Sequence, residues 1–292
     1  MPRAAFLTLA DPAGFHLYDH LAVPPLAELG WSVETIPWTA GGIEWGDFDA
    51  VVIRSTWDYQ RDPEGLLRPL ATLDAPRTRV FNPVSICRWN LEKTYLRDLE
   101  RRGVRIIPSR WPDHLDPDVL LECFDHFRTE RLVAKPLVGA NADEISILSR
   151  FQPDTWPLTT FAGRPLIVQP FIESIQAQGE YSLFYFGFEY SHAVVKTPKP
   201  GDFRVQEEHG GVIRAIRPAT DLLAAGTRTL HAIGKRLLYA RVDLVRLEDG
   251  TPAVIEVELI EPSLYFPYDA ASPARFARAL DRMMKDPATR QG

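Results

Sequence analysis

The chain has 292 residues, 45% of them hydrophobic, which is enough for a large core and for two or three lobes. Its net charge of −6 argues against a broad basic surface for nucleic acid, and no apolar run has membrane-spanning length or the form of a signal peptide. Two cysteines, Cys87 and Cys123, fit neither a zinc spacing nor a disulfide framework, so a soluble protein of a reducing, cytoplasmic compartment is expected.

The first third alternates strand and helix patterns. Residues 4–10 read as an apolar strand, 16–29 as a helix ending at Gly30, and 31–36 as a second strand. His16 and His20 stand at i, i+4 on that helix, but without the acidic partner of a zinc protease. Residues 49–54 (DAVVIR) form a third strand, a β-branched run of the kind buried in parallel sheets. It empties into the polar and aromatic loop 55–59. By position this loop is either part of a ligand crevice beyond the strand ends or an ordinary connection with a packed tryptophan. Asn82-Pro83 closes the unit.

Residues 86–102 have helical character and stop at Gly103, and 104–108 read as a short strand. A helix over 116–130 takes Asp116 as its cap and Pro117 at its first position. Strands over 132–136 (LVAKP) and 144–148 are joined by a loop of small residues. No helix follows that loop directly, so it reads as a flap rather than a P-loop. Strand-like 165–171 (PLIVQPF) leads to a hairpin of 181–186 and 188–195 that turns near Gly187. Residues 197–211, rich in Pro, Gly and charge, are expected to be a mobile loop. An amphipathic helix over 221–238, a second hairpin of 239–247 and 252–259, and a helix over 274–285 complete the chain.

The second hairpin carries the most chemistry. Asp249-Gly250 is a strong turn signal. With the turn centred between them, opposed positions sum to 499, so Asp243 faces Glu256 and Arg241 faces Glu258. Side chains alternate along a strand, so three acids and one arginine share a face. Directly opposed like charges destabilise a sheet pair. Protonation of one carboxyl group would relieve this, as would a hard divalent cation such as Mg²⁺, or a solvated face neutralised in part by Arg241. Lys135 closes an apolar strand before Pro136 and a small-residue loop. A cation there can meet phosphate oxygens while Gly139 lets backbone N–H groups approach closely. Lys93, taken alone, reads as a solvated helix lysine.

In order, the chain shows a helix lysine (Lys93), a strand lysine with a small-residue loop (Lys135, Gly139), the strand QPFIE (169–173), and then an aspartate and E-x-E on paired strands. This resembles the ATP-grasp superfamily. Within it, RSTWDY (54–59), GDFRVQEEHGG (201–211), YARVDLVR (239–246) and ELIEPSL (258–264) resemble the cycloserine synthetase branch, and the similarity spans nearly the whole chain. The resemblance implies an α/β and α+β ATP-grasp fold. Its parts are a pre-ATP-grasp α/β domain (1–85), a small lobe (86–168) and a C-terminal lobe with the Mg-binding hairpin (169–292), the two lobes clasping ATP. It implies that Lys93, Lys135 and Gly139 hold the phosphates. Gln169, Phe171 and Ile172 form the adenine hinge, Glu180 sits near the ribose, and Asp243, Glu256 and Glu258 hold Mg²⁺, as two ions.

The activity so implied is an ADP-forming carbon–nitrogen ligase acting through an acyl phosphate on an amino-acid-like substrate, with a homodimer left open. Arg204, on the expected mobile loop, is the choice for stabilising the transferring phosphoryl group, with Lys196 assisting and a loop salt bridge to Glu207 or Glu208 as the ordinary alternative. Arg54, Asp58 and Glu261 are the substrate-site candidates. Two departures stand out: Glu258 occupies a position where many ATP-grasp enzymes carry asparagine, and the loop GANADE (139–144) is poorer in serine and glycine than in many relatives. The competing reading is a nucleotide-binding sensor or partner protein without ligase activity.

Overall fold

The computed structural model describes residues 1–73, 78–139 and 145–286. The chain begins with β1 (Arg3–Thr8), α1 (Val23–Glu28), β2 (Ser32–Pro37), β3 (Ala50–Ser55), α2 (Pro63–Thr72) and β4 (Arg79–Phe81), and its strands form one parallel sheet ordered β2-β1-β3-β4. β3 is buried along its whole length, as its continuous apolar run requires. The helix expected over 16–29 is much shorter. A 3-10 turn at Asp19–Ala22 leads into α1, whose first turn takes Pro24 and Pro25. Proline has no N–H to donate and fits best in a first turn, where that N–H would be unpaired anyway, so the helix starts at the prolines and leaves His16 outside it. The sequence reading has no counterpart for α2, capped by Asp62 on the Gly65 N–H, or for β4, which is too short to register as a period.

Next come α3 (Val84–Leu91), α4 (Tyr95–Arg101), α5 (Pro117–Phe127), β5 (Arg131–Pro136), β6 (Ser146–Ser149) and β7 (Leu166–Pro170). The strands make an antiparallel sheet ordered β6-β5-β7. Asp116 caps α5 by accepting from the Val119 N–H, with Pro117 at the first position as expected. The single helix expected over 86–102 is two. The chain is extended at Glu92, and the Lys93 N–H donates to Leu137 O at 2.8 Å instead of to a helical carbonyl. The strand expected over 104–108 is reduced to an isolated bridge between Ile106 and Val254.

The rest of the chain is α6 (Ser174–Gln178), β8 (Glu180–Phe186), β9 (Glu189–Thr197), β10 (Val212–Ile216), α7 (Thr220–Ile233), β11 (Tyr239–Arg246), β12 (Pro252–Glu258) and α8 (Ser272–Lys285). Five antiparallel strands are ordered β10-β9-β8-β11-β12. Both expected hairpins form. Phe186 pairs with Glu189 across Gly187 and Phe188, which take φ of +58° and +72°, the left-handed pair that a two-residue turn demands.

The β11–β12 register corrects the sequence reading in an instructive way. Arg246 pairs with Pro252 and Leu244 with Val254, and the Leu247 N–H donates to Thr251 O at 3.0 Å, so the loop has three residues, 248–250, with Gly250 at φ +77°. A bulge at Ile255 then restores the expected pairs, Asp243–Glu256 and Arg241–Glu258.

Phe276 of α8 ties the first sheet to the last. Its ring lies 6.1 Å from Phe6, 5.5 Å from Phe186 and 6.4 Å from Tyr239. Polar side chains lock the same seam. Asn82, fully buried, donates to Tyr239 O and Leu259 O and accepts from the Leu238 N–H. Asn90 donates to Val257 O and accepts from the Leu259 N–H, and the Tyr95 hydroxyl accepts from the Val257 N–H. These bonds fix where the chain leaves β12. Among the described residues no helix is long and apolar enough to cross a membrane.

Asn82→Ala strands three buried backbone groups. Each unpaired group costs about 1–3 kcal/mol unless water reaches it. Urea unfolding is expected to show a loss of about 2–4 kcal/mol, and a loss below about 1 kcal/mol would show that the seam does not depend on this side chain.

Candidate active site

The carboxylates of Asp243, Glu256 and Glu258 offer oxygen atoms that all lie within 4.8 Å of one another, on the face where the alternation of β11 and β12 puts them. Arg241 sits among them. Its Nε is 3.1 and 3.0 Å from the two Asp243 oxygens, its Nη2 is 2.9 Å from Asp243 Oδ2, and the same nitrogen pairs with Glu258. The Ser182 hydroxyl donates to Asp243 Oδ1. Burial alone would raise the Asp243 carboxyl, but Arg241 and Lys196 outweigh it and hold it below the ordinary carboxylate range. For Glu258 the balance reverses. Burial outweighs Arg241, Glu256 and Asp243 add repulsion, and its carboxyl is pushed up to about 7.

Lys196, buried, lies 2.5 Å from Glu180 Oε1 and 3.6 Å from Asp243 Oδ1. Burial opposes its charge, yet Asp243 and Glu180 together lift its pKa above the usual value. Glu180 is raised as well, by burial and by repulsion from Asp243, which one lysine does not cancel. The two shifts look contradictory for one ion pair, but the ammonium has two acidic partners whereas Glu180 shares its cation. Lys196 is therefore the firmly charged member.

An open cavity lies over this floor, lined by Lys93, Lys135, Gly139, Glu180, Lys196, Arg241, Glu256 and Glu258. The break between α3 and α4 delivers Lys93, whose ammonium donates to Gly139 O at 2.8 Å and stands 3.5 Å from Glu256 Oε1. Lys135, half-buried, has no hydrogen-bond or ion-pair partner among the described residues, and burial lowers its pKa despite Glu256 and Glu180. The loop beyond Gly139, residues 140–144, lies outside the described residues.

The donor set suits Mg²⁺ in being all carboxylate oxygen. Glu256 and Glu258 face the cavity, while the Asp243 oxygens already accept from Arg241 and Ser182. Glu256 and Glu258 thus present two carboxylates to the cavity, each also beside a cation (Lys93 and Arg241), and two is the number Mg²⁺ commonly takes alongside substrate phosphates.

A second, more apolar cavity adjoins the first and shares Lys135, Glu180, Gln206 and Glu256 with it. Gln169, Phe171, Ile172 and Arg204 line it, together with Ile107, Val133 and Phe203. Gln169 is buried and donates to Ser109 Oγ, and Phe171 stacks under the Arg131 guanidinium at 4.0 Å. Ile255 and Glu256 both line this cavity, which consecutive residues of a regular strand cannot do; the bulge turns both toward it. Arg204 pairs with Asp202 through Nε and Nη2 at 3.1 and 2.9 Å, rather than with Glu207 or Glu208.

The three substrate-site candidates separate. Glu261 lines the first cavity, where burial first and Glu258 second push its carboxyl up to about 8. Arg54 does not line it. The guanidinium is buried, bonded to Asp19 and Pro262 O, and set over the Tyr239 ring, so its donors are spent inside the protein. Asp58 accepts from Trp38 Nε1 at 2.7 Å and also falls outside. The loop 55–59 reaches the cavity through Trp57 and Tyr59 instead, so both of its readings apply in part, because Trp57 also packs on Phe15 and donates to Glu261 O. Glu207, Glu208, Ser263 and Tyr265 also line the cavity. Sequence reasoning named none of these as site residues, although the first two lie inside the GDFRVQEEHGG segment that carries Arg204.

The family model described as the N-terminal domain of D-cycloserine synthetase DcsG matches residues 4–82. The cycloserine biosynthesis protein DcsG of Streptomyces lavendulae is 33% identical over 288 residues, covering 90% of this chain and 94% of that protein. The crystal structure of D-cycloserine synthetase DcsG aligns with a TM-score of 0.85 at 29% identity, covering 97% of this chain and 100% of that one. Similarity in fold extends to the ATP-grasp ligase PsnB complexed with minimal precursor, Mg and ADP (TM-score 0.65, 14% identity, 97% of this chain and 98% of that one). It extends also to the RimK domain protein ATP-grasp from Sphaerobacter thermophilus (TM-score 0.70, 17% identity, 95% and 98%).

Lys196→Met leaves two acids on the floor short of a cation. Removing one member of a buried pair costs about 3–5 kcal/mol, so chemical denaturation should register a loss of that order, and adding Glu180→Gln should recover part of it. A single variant as stable as the parent would remove Lys196 from the charge balance.

Proposed function

The chain belongs to the D-cycloserine synthetase family of ATP-grasp ligases, and from that premise we propose that it joins carbon to nitrogen on an amino-acid-like substrate through an acyl phosphate, using ATP and Mg²⁺. One observation carries the reading: two carboxylates of a three-acid cluster on paired strands, those of Glu256 and Glu258, share one cavity with two ammonium groups, those of Lys93 and Lys135.

Lys93 and Lys135 bind the nucleotide phosphates, with Gly139 beside them. Gln169, Phe171 and Ile172 frame the base in the apolar cavity, and Glu180, at the junction of the two cavities, lies toward the ribose. Glu256 and Glu258 hold Mg²⁺ with Asp243 behind them; when bound, as two ions, it neutralises the phosphate charge. The substrate carboxylate attacks the γ-phosphorus, and a nitrogen nucleophile then displaces phosphate from the acyl carbon. The protein supplies position and preset charge. Arg204 exchanges Asp202 for the transferring phosphoryl group, and Lys196 keeps the floor charged. The relative's role in cycloserine biosynthesis favours a substrate that cyclises on its own nitrogen over two molecules joined. Two buried thiols, Cys87 and Cys123, accord with a cytoplasmic setting. The sensor reading leaned on the loop 139–144, most of which lies outside the described residues, and nothing in the cavity favours it.

The test is ADP and phosphate release with ATP, Mg²⁺ and two panels: amino acids bearing an internal nitrogen nucleophile, and pairs of acids and amines. Turnover confined to the first panel supports cyclisation, and none in either panel defeats the reading. Chelating Mg²⁺ is expected to abolish release and added Mg²⁺ to restore it. Lys135→Met should lower kcat/KM by about 10²–10³, and Arg204→Ala should lower kcat by about 10² with KM for ATP little changed. An Arg204→Ala enzyme with parental kcat would exclude Arg204 from the transition state.

A further inference from the structure

The segment 198–211 between β9 and β10 carries Arg204 and, three residues on, Glu207. It was expected to be a mobile loop, but its far half is a tight turn. The Gly210 N–H donates to Glu207 O at 2.8 Å and the Gly211 N–H to Gln206 O at 3.0 Å. A Cβ on Gly211 would stand 2.1 Å from Val205 O, so the turn is closed against the backbone next to Arg204. Glu207 therefore does not shift without moving Arg204.

The Glu207 carboxylate has no cation within ion-pair distance among the described residues. It is held by two phenols instead. Tyr18 Oη donates to it at 3.2 and 3.3 Å, and Tyr268 Oη donates to Oε1 at 2.9 Å. Tyr18 comes from the segment before α1, and Tyr268 from the 3-10 turn before α8. The loop is thus fastened to two elements distant in sequence, and burial together with Glu207 pushes the Tyr18 hydroxyl up to about 12. Hydrogen bonds to an ionised acceptor are roughly twice as strong as neutral ones. Two of them suffice to hold a surface turn in place without contributing to the sheets on either side.

We propose that Glu207 is a positioning residue, clasped by Tyr18 and Tyr268 so that the loop holds Arg204 at the cleft. Only the chemical role of Arg204 rests on the ligase reading; the clasp itself does not.

The experiment uses the full chain in three variants, Tyr18→Phe/Tyr268→Phe, Glu207→Gln and Glu207→Ala, with Tyr190→Phe, an exposed phenol outside the clasp, as control. Backbone hydrogen exchange across 198–211 is expected to quicken about tenfold in the double variant and in Glu207→Ala, with the unfolding temperature nearly unchanged, as for a local opening. Glu207→Gln, which still offers an acceptor, should lie between them and the parent. In the ligase assay kcat should fall about tenfold while KM for ATP holds. Unchanged exchange in the double variant overturns the clasp, and quicker exchange with parental kcat overturns its positioning role. If the parent itself shows no turnover, the ligase reading fails, and the exchange result still decides whether the clasp exists.

Discussion

Gathering three carboxylates within 4.8 Å is the constraint that organises this molecule. At an effective dielectric constant of about 20, two like charges at that distance repel by about 3 kcal/mol. Three such pairs approach the net stability of an entire domain. The site is tolerable because cations stand among the acids, Arg241 between Asp243 and Glu258, Lys93 at Glu256 and Lys196 under Asp243, and because the Glu258 carboxyl is itself pushed up to about 7. The same cations preset the cavity for anionic ligands. Lys135 differs from them in that its ammonium has no partner among the described residues, and burial makes its charge expensive until an anion arrives.

The backbone supplies this arrangement through local irregularities rather than through regular elements. The α3–α4 break takes Lys93 out of a helix, where it would be solvated, and hands its N–H to Leu137. The bulge at Ile255 lets one strand present an apolar residue and an acid to the same cleft. Asn82, Asn90 and Tyr95 then bond the backbone from Val257 to Leu259 into the neighbouring unit, so Glu258 and Glu261 leave a braced strand rather than a loose one. The clasp on Glu207 has the same character, a few polar bonds setting where a charged side chain stands.

What could be read from the sequence follows from the range of the interactions involved. Hairpins turning at Gly187 and Gly250, and the capped helix after Asp116, depend on near neighbours, and periodicity reveals them. The pairing of Asp243 with Glu256 was reached by assuming a two-residue turn. The turn has three, and the bulge cancels the error, so the right pair rested on a wrong register. Arg54 shows the opposite failure. Its motif pointed to a ligand, yet the guanidinium serves Asp19, Pro262 and the Tyr239 ring, partners far along the chain that no local pattern announces. Trp57, Glu207 and Glu208 were missed for the same reason. They reach the cleft only because segments from both ends of the chain converge there.

Glu258 is one half of a pair with Arg241. Where an asparagine would be neutral, a glutamate adds a third negative charge to a crowded face. The register sets Arg241 directly across from it, and the guanidinium bridges Glu258 and Asp243 at once. The guanidinium therefore offsets the charge of Glu258 and joins two neighbouring strands by a fork. Stiffness on that side places the burden of adjustment on the loop that carries Arg204, which spans both cavities and is fastened at Glu207 rather than built into a sheet.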